Sequence, residues 1–423
     1  MTLAASFLGG ARSRLLPASL PFRYFAAAAG FHVLAWLVLL IAADELPAFT
    51  GGPGMVLAAI HLLTLGVLVM TAMGAAFQLL PVATRRPLAQ VWPARLGFWL
   101  LTPGTLVLAF GMATAGEAAM YAGAGGVIAS LVVFALVVGG NLRRAGDMPV
   151  VAAHGWGAIM SLAVFAGLGL ALIADFGTGF LPDHRSVARA HLISAGFGFM
   201  GLLVFGFSHV LIPMFALSRT LSVRLGWLEF WLAAAACALA TAVALMDRPI
   251  GLAAAAVIGL CASGVYLWLM RTALRTGMRK RLGLSFILIK LSWGALVLCL
   301  VLGLAMALGA PITNGATLFG FILLAGWLLT FLTGILQRIM PFLASMHAAG
   351  KGGKPALLSD LTADLPLKVH AACHISAVVL CSAGIAMDAA LLVRLGAAFG
   401  LAGAVAFAAF ASFVLIRLKP QSG

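Results

Sequence analysis

Charge is what this sequence has least of. Only 9% of its 423 residues are Asp, Glu, Lys or Arg, against roughly 25% in soluble domains, so ordinary folding in water cannot hide its apolar surface. Acids are the scarcer sign, 11 against 26 bases. Glu229 and Lys290 are the only charged residues well inside apolar runs; Glu117, Asp175 and Asp388 stand at their ends. Proton pumps and ion-coupled transporters usually carry carboxylates near the membrane midplane, and none is present. The five cysteines, Cys237, Cys261, Cys299, Cys373 and Cys381, lie within or at the edge of apolar runs, which argues against structural disulfides. No phosphate-binding loop, hydrolase triad motif or zinc-protease signature occurs, so ATP-driven and hydrolytic work are disfavoured.

Apolar residues make up 63% of the chain and the mean hydropathy is +1.14. Spans of about 20 apolar residues match the hydrocarbon thickness of a bilayer, where only helices and closed barrels satisfy the backbone. The runs here are long and unbroken rather than short and alternating, which selects helices. The expected fold is an all-α membrane protein with twelve spans, at about 22–43, 54–82, 93–115, 117–142, 149–175, 187–215, 226–246, 249–275, 284–308, 314–346, 366–388 and 391–417. The connections are too short for a separate domain, so the chain reads as a single polytopic unit. Its longest connection runs from Lys351 to Pro366. The net charge of +15 does not indicate nucleic acid, because the bases sit in short connections rather than on one basic surface. With the N-terminus in the cytoplasm, 21 of the 26 bases fall on the cytoplasmic side, including Arg85, Arg86, Arg143, Arg144, Arg279, Lys280 and Arg281. Arg185, Arg189, Arg248 and Arg394 fall outside, and both termini are expected inside a bacterial cytoplasmic (inner) membrane. Arg12 and Arg14 precede an apolar run with no small-residue cleavage pattern, which reads as a first span behind a short tail rather than a removed signal.

An internal pattern divides the chain in three. The second span carries His61, Gly66, Gly74 and Pro81, and the tenth carries Gly326, Gly334 and Pro341, with identical spacings of eight and then seven. The sixth carries His191, Gly196, Gly206 and Pro213, which reads as the same pattern with two extra residues in its middle. The prolines are 132 and 128 residues apart, four spans each time. Glycine and proline are common in membrane helices, but the repeated spacing favours three pseudo-symmetric four-helix units at about 20–145, 146–275 and 280–417.

Histidine is the most informative residue type, since ionisable groups inside a bilayer are costly and functional by default. His61 and His191 each stand five residues before a glycine, close to the non-cytoplasmic face of the second and sixth spans. Two neutral imidazoles at one level suit heme iron or copper; the plainer alternative is a pair of imidazoles bonded to backbone carbonyls. Arg189, two residues before His191, is placed either to meet a heme propionate or to mark the membrane surface. A second group lies toward the cytoplasm. His347 ends the tenth span, His370 and His374 share one face at the start of the eleventh, Cys373 adjoins them, and His209 ends the sixth. These four histidines are candidate metal ligands, weighed against simple solvation at the interface, and the run lacks the order of covalent heme attachment. His32 and His154 read as interhelical hydrogen bonders, and His184 as plain surface.

Twelve spans in three units, with His61 followed by Met70, Gly74, Phe77 and Leu79-Leu80-Pro81, resemble the catalytic subunit of heme-copper oxidases and nitric oxide reductases. The opening Pro21-Phe22-Arg23-Tyr24-Phe25 is similar to the start of the NnrS family, membrane proteins associated with heme, copper and nitric oxide. The resemblance implies that His61 ligates a low-spin heme. The chain departs from the oxidases where their other ligands lie. The tenth span has no histidine before His347, Ala195 stands where many members have a tyrosine, and no histidine pair opens the seventh span near Trp227 and Glu229. The NnrS double histidine is reduced to His61. A complete oxygen-reducing binuclear centre is therefore not implied. The expectation is a heme b protein, with copper as the alternative, held by His61 and His191 with Arg189 nearby. Its role would be electron transfer or handling of nitric oxide or another diatomic gas, as an oxidoreductase component. The expected partners are membrane lipid and a cytochrome c-type or other respiratory subunit. The rival readings are a transporter or copper carrier using the same histidines, and a noncatalytic membrane subunit of a respiratory complex.

Overall fold

A computed structural model describes residues 14–349 and 357–418. Arg12 and the first part of the connection from Lys351, residues 351–356, lie outside the described residues. Twelve apolar helices are long enough to cross a membrane: α1 Ser19–Ile41, α2 Met55–Ala83, α3 Trp92–Thr114, α4 Glu117–Leu142, α5 Pro149–Thr178 and α6 His184–Ala216. The remaining six are α7 Val223–Leu245, α8 Pro249–Thr276, α9 Leu284–Ala307, α10 Gly315–His347, α11 Asp364–Ala386 and α12 Ala390–Leu418. No strand occurs among the described residues. Proline in the first turn opens α3, α5 and α8, a position whose missing N–H costs no hydrogen bond. Asp183 and Ser222 cap α6 and α7 with their side chains.

Burial separates inner from outer helices. The most apolar stretch of α6 is 100% buried, that of α10 78% and that of α2 67%, while no other exceeds 44%. The outer helices turn large apolar side chains such as Trp99, Phe110, Leu136, Met160 and Trp268 outward, as lipid as solvent requires. The segments at the basic face, around Arg85, Arg143 and Arg279, and the far face, with Asp44, Glu45 and Asp183, bound the bundle at its two ends.

The three inner helices share an uncommon backbone. Each widens into π-helix for eight residues, at Leu62–Val69, Ser194–Gly201 and Ile322–Leu329. Each proline falls 19 residues after its segment begins (62 to 81, 194 to 213, 322 to 341). The π segment of α10 packs on those of both α2 and α6. Segments of this kind, rare and usually a single turn, gather at functional sites.

This register corrects the reading of α6. Aligned on the π segments, the glycine matching Gly66 and Gly326 is Gly198, not Gly196, so the spacing of eight and seven holds in all three helices without an insertion. Each of these glycines lies beside the first helix of its own four-helix unit. A Cβ on Gly66 would stand 2.4 Å from Phe31 of α1, and one on Gly198 would stand 2.6 Å from Ser161 of α5. One on Gly326 would be in ordinary contact with Ala295 of α9, at 3.4 Å. Eight residues on, Gly74 admits Tyr24, Gly206 admits His154 and Gly334 admits Leu288. The partners advance by seven along the first helix each time (24 to 31, 154 to 161, 288 to 295). Small residues that let backbones close up are what drives helix association where lipid is as apolar as the helices. Gly196, by contrast, faces Leu323 of α10.

Candidate functional site

The outer ends of α2 and α6 bring His61 and His191 together. Their ring centres are 6.5 Å apart and their planes 26° from parallel. Both rings border a cavity of about 1170 Å³ lined by the three inner helices together with α1, α3, α4, α5, α7, α8 and α9. The two histidines do not hold one register, however. His61 stands one residue before its π segment and His191 three before, so the expectation of equivalent positions is corrected. They meet because the chains converge there, not because the repeat dictates it. In the third unit the matching positions are Phe319 and Phe321, which also border the cavity.

Each imidazole is tethered through one nitrogen. His61 Nδ1 donates to Leu57 O at 3.0 Å within its own helix, and His191 Nδ1 donates across to Phe165 O of α5 at 2.8 Å. That choice of tautomer leaves Nε2 as an acceptor on both rings, with no protein partner among the described residues. A backbone carbonyl on Nδ1 is the usual means of orienting a metal-bound imidazole. Phe165 packs edge-on against His191. Gly169, one turn further along α5, leaves room for the ring, since a Cβ there would stand 3.0 Å from its Cε1.

Arg189 lies on the cavity border but is committed to Asp247, at 3.0 Å. The pair is an exposed one at the far face, made through Nη1 alone. His184 is not plain surface: it bonds Asp175 at 2.7 Å and also borders the cavity.

The four histidines expected as one group near the basic face do not gather: His209 joins one cluster, His370 and His374 another, and His347 neither of these. His209 leaves the other three and meets His154 of α5 and Glu229 of α7, with Nε2 to Glu229 Oε2 at 3.0 Å. His154 Nε2 is 3.2 Å from Glu229 Oε1. Glu229 is completely buried, so the cluster is a packed interior feature, and His154 sits between helices as expected, its Nε2 in contact with Glu229. His370 and His374 are likewise buried rather than solvated at an interface. They stack on one another with ring centres 5.5 Å apart, and His32 of α1 meets His370 at 6.0 Å. His370 donates to Gly403 O, His374 pairs with Thr330, and His32 accepts from the Trp36 indole. His347 stays in the last turn of α10.

Sequence reasoning missed the joining of His154 and Glu229 to His209. The signal that was available is the pairing of a lone buried acid on one helix with histidines near the same membrane level on its neighbours. No protein-family model matches the chain, and no curated protein matches it.

Proposed function

We propose that this chain binds a b-type heme between His61 and His191, in a bacterial cytoplasmic membrane, and serves in electron transfer rather than in oxygen reduction. One observation carries the reading: two near-parallel imidazoles, each tethered through Nδ1, border one large cavity. The donor set fits the group. Two neutral imidazoles with ring centres 6.5 Å apart, each free at Nε2 among the described residues, would be able to hold one iron between them. The cavity exceeds the roughly 300–1,000 Å³ of ordinary small-molecule sites, and Phe197, Phe205 and Trp327 supply apolar walls.

In this reading His61 and His191 hold the iron, and Leu57 O and Phe165 O keep both rings in the tautomer that presents Nε2. The bound heme would supply one-electron chemistry, and two protein ligands leave no place for a gas on the iron. Docking of a cytochrome c-type partner, or of another respiratory subunit, belongs to the same proposal. So does an oxidoreductase role within such an assembly.

The test is a reduced-minus-oxidised optical spectrum of the purified protein, with heme and metal content. Heme bands at one per chain that vanish in His61→Ala and in His191→Ala support the reading. A colourless protein with stoichiometric copper would move the pair to a copper carrier. Neither heme nor copper would leave a noncatalytic subunit and sink the cofactor reading.

A further inference from the structure

The second unit holds a cluster that the heme reading does not use. His154, His209 and Glu229 come from α5, α6 and α7, and one nitrogen or oxygen from each lies within 4.8 Å of the others. Exposure is 1% at His154, 8% at His209 and nil at Glu229, so water does not solvate the carboxylate. Two glycines make the space. A Cβ on Gly206 would stand 2.6 Å from His154 Cβ, and one on Gly226, a turn before Glu229, would stand 3.2 Å from His209 Cε1. Phe230 closes the far side of His154, with ring centres 5.0 Å apart.

The hydrogen bonds leave something missing. His154 Nδ1 donates to Val150 O at 2.8 Å, so in a neutral ring the bare Nε2 lone pair faces the Glu229 carboxylate at 3.2 Å. Two acceptors at that distance in a dry interior repel unless a cation lies between them. A proton on Nε2 is one such cation and a metal ion is another. The spacing suits a metal: donors on a tetrahedral ion bonded at about 2.0–2.1 Å stand roughly 3.3 Å apart, and the two His–Glu distances are 3.0 and 3.2 Å.

We propose that His154, His209 and Glu229 bind a divalent transition-metal ion of the zinc or ferrous class. Two imidazoles and one carboxylate are a borderline donor set, too nitrogen-rich for calcium or magnesium and without the thiolate or thioether that favours cuprous ion. Three protein donors leave one coordination position open. The site is independent of the heme reading, since it lies on α5, α6 and α7 toward the basic face and shares no ligand with His61 or His191.

The experiment titrates cobalt(II) into the purified His61→Ala/His191→Ala chain, and measures zinc and iron per chain by mass spectrometry before any metal is added. Visible d–d bands of a four-coordinate ion saturating at one equivalent, lost at least tenfold in a further Glu229→Gln or His154→Ala change, are expected. Each variant is compared for monodisperse elution, and the cobalt titration of the unaltered triad decides the matter should a variant fail to fold. No bands and no copurified metal would overturn the proposal and leave an imidazolium–carboxylate pair only. Undiminished binding in Glu229→Gln would overturn it equally.

Discussion

Two histidine sites lie on the same inner helix, α6, and they are built in opposite ways. At the far-face end His191 meets His61 across an opening, and each ring keeps one nitrogen without a partner among the described residues. At the basic-face end His209 meets His154 and Glu229 in a space that two glycines fit closely. The first arrangement has room for a large flat group, and the second for a single ion. The difference follows from what surrounds the helix. The π segments lie at the far-face side, where α2, α6 and α10 border the cavity. Beyond the segments, Gly206 lets α5 pack hard against α6 at His154.

The sharpest way to break this comparison is to remove one imidazole from the open site. His61→Ala should abolish any heme absorbance while leaving the metal content of the triad unchanged, read on one sample by spectrum and mass spectrometry. Loss of both together would mean that the two ends of α6 fold as one site. Overpacking the closed site comes next. Gly206→Val puts a branched side chain where a single Cβ already stands 2.6 Å from His154, and should cost about 1–3 kcal/mol, measured as a lowered unfolding midpoint in detergent. Val at Gly201, beside the cavity, should cost less.

Gly169→Ala is milder. Its Cβ would meet His191 Cε1 at 3.0 Å and shift the ring by a few tenths of an ångström, so a spectral or potential shift with intact heme content is the expected outcome. The smallest effect concerns the cap of α6. The Ser186 hydroxyl, ahead of the Arg185 N–H and the Arg189 charge, holds the Asp183 carboxyl below its ordinary value. Because the folded value is the lower, its stabilisation is present at neutral pH and is lost as pH falls through that value. Asp183→Asn, which keeps a capping oxygen but loses the charge, should lower the unfolding midpoint slightly at neutral pH, the difference vanishing as pH falls through the Asp183 value.

Much of the fold was legible because hydropathy reports length and lipid contact directly. The span expected at 54–82 is Met55–Ala83, and that at 314–346 is Gly315–His347. The glycine and proline spacing pointed to α2, α6 and α10 as related helices. What could not be read was local backbone. A π turn has the same composition as the α-helix around it, so Gly196 stood in for Gly198 and two histidines of different register looked equivalent. Contacts across helices were equally hidden. Glu229 was visible as a lone acid in an apolar run, but its meeting with His154 and His209 depends on how α5 and α7 sit against α6. The burial of His370 and His374 depends on α1 and α12 in the same way.

The widened turns have a practical consequence for anyone mapping this membrane bundle residue by residue. A helical wheel drawn at 3.6 residues per turn follows α2 from Pro81 back to Met70 and then loses its phase, because the next eight positions take more residues for each revolution. Labelling or cross-linking scans along the inner helices should therefore be fitted in two independent stretches, with the segment between them treated as a change of gear.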